Sequence, residues 1–319
     1  MNNKKKYRAL CQSEASISIF SQDWWLDAAC GDENWDVVVI EKGGLIAATL
    51  PYMRVNKYGL CFMVMPPLTK SLGPWLRPYD GKISAQYAHQ KELFTKLIQA
   101  LPPFDYFCQN FHPSITNWLP FFWQGFGQTT WYTYVLENLC ELQPIFDGFE
   151  GRVRTEIKKA ERRYKLHIRW DIDFDSFWNL YEMTFSRQKM RSPHSKKIIY
   201  RIDAACVAQN ARQIIGAEDS EGLLHAAVYV IWDQNSAYYL MSGSDSNLRN
   251  SGANSLCIWE AIKFASKVTK RFDFEGSILE PIELFFRGFG AKQIPYFRIS
   301  YETRLMKLLR TLKNLIKPK

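Results

Sequence analysis

The sequence predicts an α+β protein of two tandem domains, each a mixed, mostly antiparallel sheet flanked by helices. Two observations lead there. The halves of the chain present the same order of elements, and apolar residues alternate in some segments but recur at three and four spacing in others. In the first half, SQDWWLDAA (21–29) predicts a short aromatic helix, followed by the strand VVVI (37–40), a KGG turn and the strand LIAATLPYM (45–53). A strand over 60–64, a helix over 84–100 and FDYFCQN (104–110) complete it. In the second half, the helix FDSFWNLYEMTFSRQ (174–188) precedes QIIGAE (213–218), a DSEG turn, LLHAAVYVIW (223–232) and SAYYLMSG (236–243). The helix ANSLCIWEAIKFASK (253–267) and RFDFEGS (271–277) follow. In that helix Ile258, Trp259, Ile262 and Ala265 share one face while Glu260, Lys263 and Lys267 share another, the pattern of a helix lying on a sheet. The hairpin turns of the two halves are about 178 residues apart and the last strands about 167, as duplication of one α+β unit would space them. The expected boundaries are a first domain over 1–150, a second over 151–300 and a basic amphipathic tail over 301–319.

Composition narrows the function. With 319 residues, 47% of them apolar, the chain can bury a sizeable core. Its seven cysteines are scattered without a CxxC, which indicates neither a disulfide framework nor a zinc site and points to a reducing, cytoplasmic location. The five histidines show no ligand spacing, so no metal is expected. The positively charged start has no apolar run behind it, and LCFMVMPPL (60–68) is too short and proline-rich to span a bilayer. The chain is therefore expected to be neither exported nor integral. Its net charge of +9 sits entirely on the two ends: residues 1–10 carry Lys4, Lys5, Lys6 and Arg8, and residues 301–319 carry six basic residues against Glu302. The neutral body excludes a protein-wide basic field for nucleic acid. One internal stretch, 152–169, is locally basic, and it places Val153, Ile157, Ala160 and Tyr164 on one helical face with the basic residues outward. It would steer an acidic acceptor or a tRNA backbone, or serve as a solvated helix bridging the halves.

Candidate chemistry concentrates in the second half. After SAYYLMSG, the residues Arg249, Asn250, Ser251, Gly252, Ala253 and Asn254 form a small-residue turn feeding a helix. Small residues admit a ligand close to the backbone, and the unpaired N–H groups of a first helical turn stabilise phosphate oxygens. The competing reading is an ordinary loop with Ser251 or Asn254 near the cap. The first half has FMVMPPLTKSLGPW (62–75) at the corresponding place, where prolines lack donors; Trp75 there is a candidate to line a substrate groove. Asp273 and Glu275, two apart in RFDFEGS, would face one side of a sheet and Phe272 and Phe274 the other. Such a pair suits a base working near neutrality, or is structural. Tyr238 and Tyr239 on the neighbouring strand are candidate proton donors or packing residues. KMRSPHSKK (189–197) reads as a loop over the cleft. Leu305, Leu308, Leu309, Leu312, Leu315 and Ile316, with basic residues between them, predict a basic amphipathic helix that either meets an anionic membrane face or docks on the fold.

FSQDWWLDA, IAATLPY, MPPLTKSLGPW, RVRTEIKKAERR, LRNSGAN and DFEGSILEPIELFFRGFGAKQIPYF together resemble FemAB-like proteins of the GNAT acyltransferase superfamily, over about residues 20–300. The likeness is to the bacterial, acetyltransferase-like branch. It implies two GNAT-like folds and transfer of an acyl group from acyl-CoA such as acetyl-CoA to an amine, a cell-envelope or polysaccharide precursor being one candidate acceptor. Aminoacyl-tRNA is the alternative donor, and a catalytically degenerate binding module the alternative class. Arg249–Asn254 looks like the superfamily's RxxGxG/A pyrophosphate signature, with Asn254 in the final small position. The peptidoglycan members carry a motif like FKxxFG, whereas this chain has Phe285, Phe286, Arg287, Gly288, Phe289, Gly290, which puts Phe286 where their lysine stands. A guanidinium one residue away cannot act as that lysine's acid or base. The expected site residues are Glu275, Asp273 and Tyr238 for catalysis, residues 249–254 for the cofactor, and Trp75, Arg154, Lys158, Arg187 and Arg287 for substrate.

Overall fold

The computed structural model describes residues 2–187, 189–276 and 278–316, with side chains through 312 in the last helix. The elements begin with α1 (Asn3–Ser13), α2 (Asp23–Cys30), β1 (Trp35–Lys42), β2 (Leu45–Lys57), β3 (Leu60–Val64), β4 (Trp75–Leu76), α3 (Ile83–Gln99) and β5 (Tyr106–Asn110). They continue with α4 (Leu119–Trp123), β6 (Gly127–Glu137), α5 (Leu142–Asp147), α6 (Gly151–Arg162), β7 (His167–Arg169), α7 (Phe174–Arg187) and α8 (Lys196–Ala208). The last are β8 (Arg212–Glu218), β9 (Leu224–Trp232), β10 (Ala237–Ser244), α9 (Ala253–Val268), β11 (Arg271–Asp273), α10 (Glu280–Arg287), β12 (Lys292–Glu302) and α11 (Arg304–Ile316). They form two compact units: Met1–Trp131 with Pro295–Lys319, and Tyr132–Ile294.

The two units repeat one pairing scheme. In the first, β1, β2 and β3 form an antiparallel meander, β3 pairs parallel with β5 after the crossover through α3, and β5 pairs antiparallel with β12. In the second, β8, β9 and β10 form the meander, β10 pairs parallel with β11 after the crossover through α9, and β11 pairs antiparallel with β6. A parallel neighbour needs such a long crossover, which is why each half carries one amphipathic helix between its third strand and the next. The closing strand of each scheme comes from the other half of the sequence. The divisions expected at 150 and 300 therefore differ from the observed ones: β6 leaves the first half to complete the sheet of the second unit, and residues 295–302 return to complete that of the first. Nothing in local periodicity reveals where a strand finds its partner.

The core of the first unit gathers Leu50, Met63, Phe94, Phe107, Phe121 and Ile299 between its sheet, α3 and α4. In the second, Val228, Val230, Tyr239, Ile258, Ile262 and Phe272 meet between the sheet and the α6 and α9 side. Its strand β9 is buried at all residues from His225 to Ile231, as expected of a strand covered on both faces. The chain's start is not a tail. Residues 3–13 form α1, whose Tyr7 and Leu10 are buried, with Asn2 accepting the Lys5 N–H at 2.8 Å as its cap. Lys6 reaches Glu41 at 2.7 Å, and Arg8 contacts Asp27, Asp23 and Asp32 at 2.7 to 3.0 Å. The N-terminal positive charge is thus matched by acids of the same unit. Among the described residues no helix is long and apolar enough to cross a membrane.

Candidate active site

The parallel pair β10 and β11 sets the geometry. The two are in register at only Ala237 with Phe272 and Tyr238 with Asp273, after which β10 runs on to Ser244 beside β9 alone. The strands part there. The expectation that Asp273 and Glu275 share one strand face is corrected: β11 ends at Asp273, and Glu275 and Gly276 both turn into the left-handed region, with φ of 60° and 59°. The reason is steric. A Cβ on Gly276 would lie 2.0 Å from the Tyr132 carbonyl oxygen, so the chain crosses β6 too closely for any side chain. A glutamate at positive φ carries strain of about 1–3 kcal/mol, the kind that persists where a site requires it.

Both carboxylates are buried, each at 7% exposure. Asp273 accepts from the Thr133 hydroxyl on β6, and its Oδ1 also accepts the Glu275 N–H at 2.7 Å. Asp273 therefore fixes the turn that carries Glu275. Tyr238 stands beside Asp273 in register, but its hydroxyl lies 3.4 Å from Asp233 in the β9–β10 hairpin, toward the closed end of the strand pair. On the opposite face Phe272, Phe274, Tyr239, Phe286 and Phe289 form one aromatic cluster with ring centroids 5.1 to 6.5 Å apart. Burial pushes the Tyr239 phenol up to about 12, against the opposing effect of hydrogen bonds from Ser242 and Asn254, so it stays protonated. Phe286 is 5% exposed in this cluster. The position that holds a lysine in the peptidoglycan motif is thus core here, and Phe286→Lys is expected to lose at least about 3 kcal/mol of stability in a urea titration.

The loop before α9 has a short 3-10 turn, Arg249–Ser251, and then Gly252 in the left-handed conformation with φ 81°. Arg249 and Asn250 are exposed, Ser251 and Ala253 buried. The Ser251 Oγ accepts the Ala253 N–H at 3.4 Å. A Cβ on Gly252 would sit 2.2 Å from the carbonyl oxygen of Glu156, so the glycine makes room for α6. Glu156 brings its carboxylate to the loop as well, partnered by Lys159 at 2.6 Å. Asn254, which stands where a small residue is expected, turns its side chain inward to Tyr239. Its Oδ1 is buried without a hydrogen-bond partner. What the loop offers an anion is the first-turn N–H groups of a 16-residue helix and the two exposed side chains before it.

The substrate candidates are dispersed. Trp75 belongs to the first unit, in β4 rather than a loop, where it lines a cavity of about 440 Å³ and its Nε1 donates to Ser16 at 2.8 Å. Arg154 on α6 donates to the Asp147 carbonyl at 3.1 Å, and Lys158 on the same helix is exposed. Arg187 is exposed at the end of α7, and Arg287 pairs with Glu283 at 3.3 Å on α10. The loop expected over 189–197 contains residues 189–195, since α8 begins at Lys196. Sequence reasoning missed Thr133, because its partner is 140 residues away. It also missed the bond from the Tyr134 hydroxyl to Glu283 at 2.5 Å, which tethers α10, and that from Gln293 on β12 to the Tyr134 hydroxyl at 2.7 Å. The alternation of TTWYTYVLE was the available signal, for it marks Thr133 and Tyr134 as opposite faces of one strand. Among the described residues no group of three or more His, Cys, Asp or Glu could hold a metal ion.

Residues 149–278 match the acetyltransferase (GNAT) domain family, a span running from just before α6 through both carboxylates. No curated protein sequence matches the chain. FemX shares its fold with a TM-score of 0.69 over 99% of this chain and 98% of that one, at 11% identity. L-PGS from Bacillus licheniformis is similar at TM-score 0.53 and 10% identity, over 99% of this chain and 97% of that one. The tandem GNAT protein of the clavulanic acid biosynthesis pathway gives 0.50 and 11% over 94% of each chain. At such identities the likeness is one of fold.

Proposed function

We propose that the protein transfers an acyl group from acyl-CoA to an amine, with Glu275 as general base and Asp273 as the residue that positions it. The observation carrying this reading is the buried Glu275, held in a left-handed turn where β10 and β11 part. Amine acylation needs a proton acceptor for the incoming ammonium, donors near the carbonyl oxygen, and two substrates held together. Glu275 takes the proton, Asp273 fixes its backbone, and Arg249, Asn250 and the first turn of α9 hold the pyrophosphate. Bound acyl-CoA would supply the thioester carbonyl that the amine attacks, with the thiol as leaving group. The acceptor class we favour is a cell-envelope or polysaccharide precursor bearing an amine. Trp75 is proposed for acceptor binding, with Arg154, Lys158, Arg187 and Arg287 attracting acidic groups. The site of action is the cytoplasm or its membrane face.

Calorimetric titration with coenzyme A and acetyl-CoA tests the donor site. Micromolar affinity is expected, weakened about tenfold in Arg249→Glu. Because Arg249 is exposed, this substitution spares the fold, and unchanged affinity would remove the loop from the site.

Exposed Lys158, Arg162 and Arg163 along α6 support a second reading in which the donor is aminoacyl-tRNA. Affinity for charged tRNA would then fall steeply with salt, whereas a coenzyme A site would change far less. Loss of both ligands would leave the degenerate binding module.

A further inference from the structure

We infer that the first unit carries a two-element docking face for an anionic membrane surface, made by α11 together with the rim of α4. The inference extends the membrane-face location above and does not depend on the transfer chemistry. On α11, Leu305, Leu308, Leu309 and Leu312 are 41 to 57% exposed, so the described part of the apolar stripe is not docked on the fold. Arg304, Lys307 and Arg310 alternate with these leucines, and Arg310 pairs with Glu302 at 3.0 Å. A helix that keeps its leucines in water has unfavourable apolar exposure that a partner would relieve.

The second element is independent of the tail. Leu119, Phe122 and Trp123 on α4 are 49 to 56% exposed, and the Lys91 ammonium stands over the Trp123 ring at 5.0 Å. Tyr87, Lys91, Leu119 and Trp123 line a groove of about 630 Å³. Exposed indole and phenyl rings beside an ammonium suit the headgroup level of a bilayer, where an amphipathic ring has one wet and one apolar side. The chain segments adjoining the two elements lie against each other. Two residues after Trp123, a Cβ on Gly125 would touch the Tyr301 ring at 3.7 Å, and Phe126 packs on that ring at 5.1 Å. α11 begins three residues beyond Tyr301, within about 10 Å of extended chain.

Charge selects the occupant. Lys4, Lys6 and Arg8 of α1 are engaged with Asp23, Asp27, Asp32 and Glu41, whereas the sequence of 301–319 holds six basic residues and a single acid, Glu302, which Arg310 reaches. An anionic lipid surface complements that excess and the leucines at once, and each basic residue near it strengthens binding about fivefold.

The test is sedimentation of the full chain with vesicles of neutral phosphatidylcholine, alone or mixed with anionic phosphatidylglycerol. Binding to the mixed vesicles only, weakening with salt, is expected. Leu308→Glu with Leu312→Glu should weaken it at least tenfold, and Trp123→Ser several-fold, with unchanged circular dichroism. Failure to bind anionic vesicles, or full binding by the leucine variant, would overturn the inference. A dimer in analytical ultracentrifugation that Leu308→Glu dissolves would assign the face to a second copy instead. Coenzyme A affinity should be the same in all these variants, which separates this outcome from the fate of the donor site.

Discussion

Glu275→Gln is expected to lower kcat by about 100-fold or more, the range that a general base contributes. The amide keeps the shape of the side chain and cannot accept a proton, so KM should change little. Melting should stay close to wild type, because a buried charge is removed and the Glu275 N–H bond to Asp273 remains. An acid limb in the kcat/KM profile, the mark of a carboxylate base, is the expected result for the wild type and should be missing in the variant. Asp273→Asn separates base from support. It retains an acceptor for Thr133 and for the turn, so a smaller loss of kcat is expected, with the acid limb preserved. Full turnover in Glu275→Gln would end the assignment of the base.

A large effect on stability is expected at Gly252 as well. Alanine there must adopt φ of 81° and bring its Cβ to 2.2 Å from the Glu156 carbonyl, a backbone atom that cannot move aside cheaply. The conformational term alone costs about 1–2 kcal/mol and forced overpacking about 1–3. A loss of about 3 kcal/mol would lower the melting temperature by about 6–12 °C for a unit of this size. Calorimetric melting of Gly252→Ala against wild type measures it, and a shift below a degree would mean that α6 yields. Substituting this glycine therefore reports on the packing of α6 before it reports on ligand binding. The exposed Arg249 is the sharper probe of the loop.

Much of the fold was legible in the sequence because its signals are local. The strand 223–232 and the helix 253–267 meet β9 and α9 within a residue or two, since one is a β-branched and aromatic run and the other has a clear apolar face. The N-terminal helix was hidden because Tyr7 and Leu10 are few among lysines, and what holds it is tertiary burial of those two with ion pairs to distant acids. The site was legible as a list of residue types and obscure as geometry. Arg249 to Asn254 stood out as small residues before a helix, yet the same Gly252 could equally admit a ligand or a neighbouring helix, and only packing distinguishes them. Asp273 and Glu275 were read as one strand face. A single left-handed residue breaks the period of two on which such a reading depends.

The exchange of closing strands bears on how the chain is made. A ribosome releases the second unit whole once Ile294 has emerged, since β6 is already waiting from earlier in the chain. The first unit, though nearly all of it is synthesised first, must keep the open edge of β5 unpaired until residues 298–302 arrive to cover Tyr106 to Asn110. Folding therefore runs against the usual N-to-C order, and the older part of the nascent chain is the later to mature. During that interval an exposed strand edge lined by Tyr106 and Phe107 is a template for mispairing, a period in which a chaperone would matter more for the first-made half than for the last.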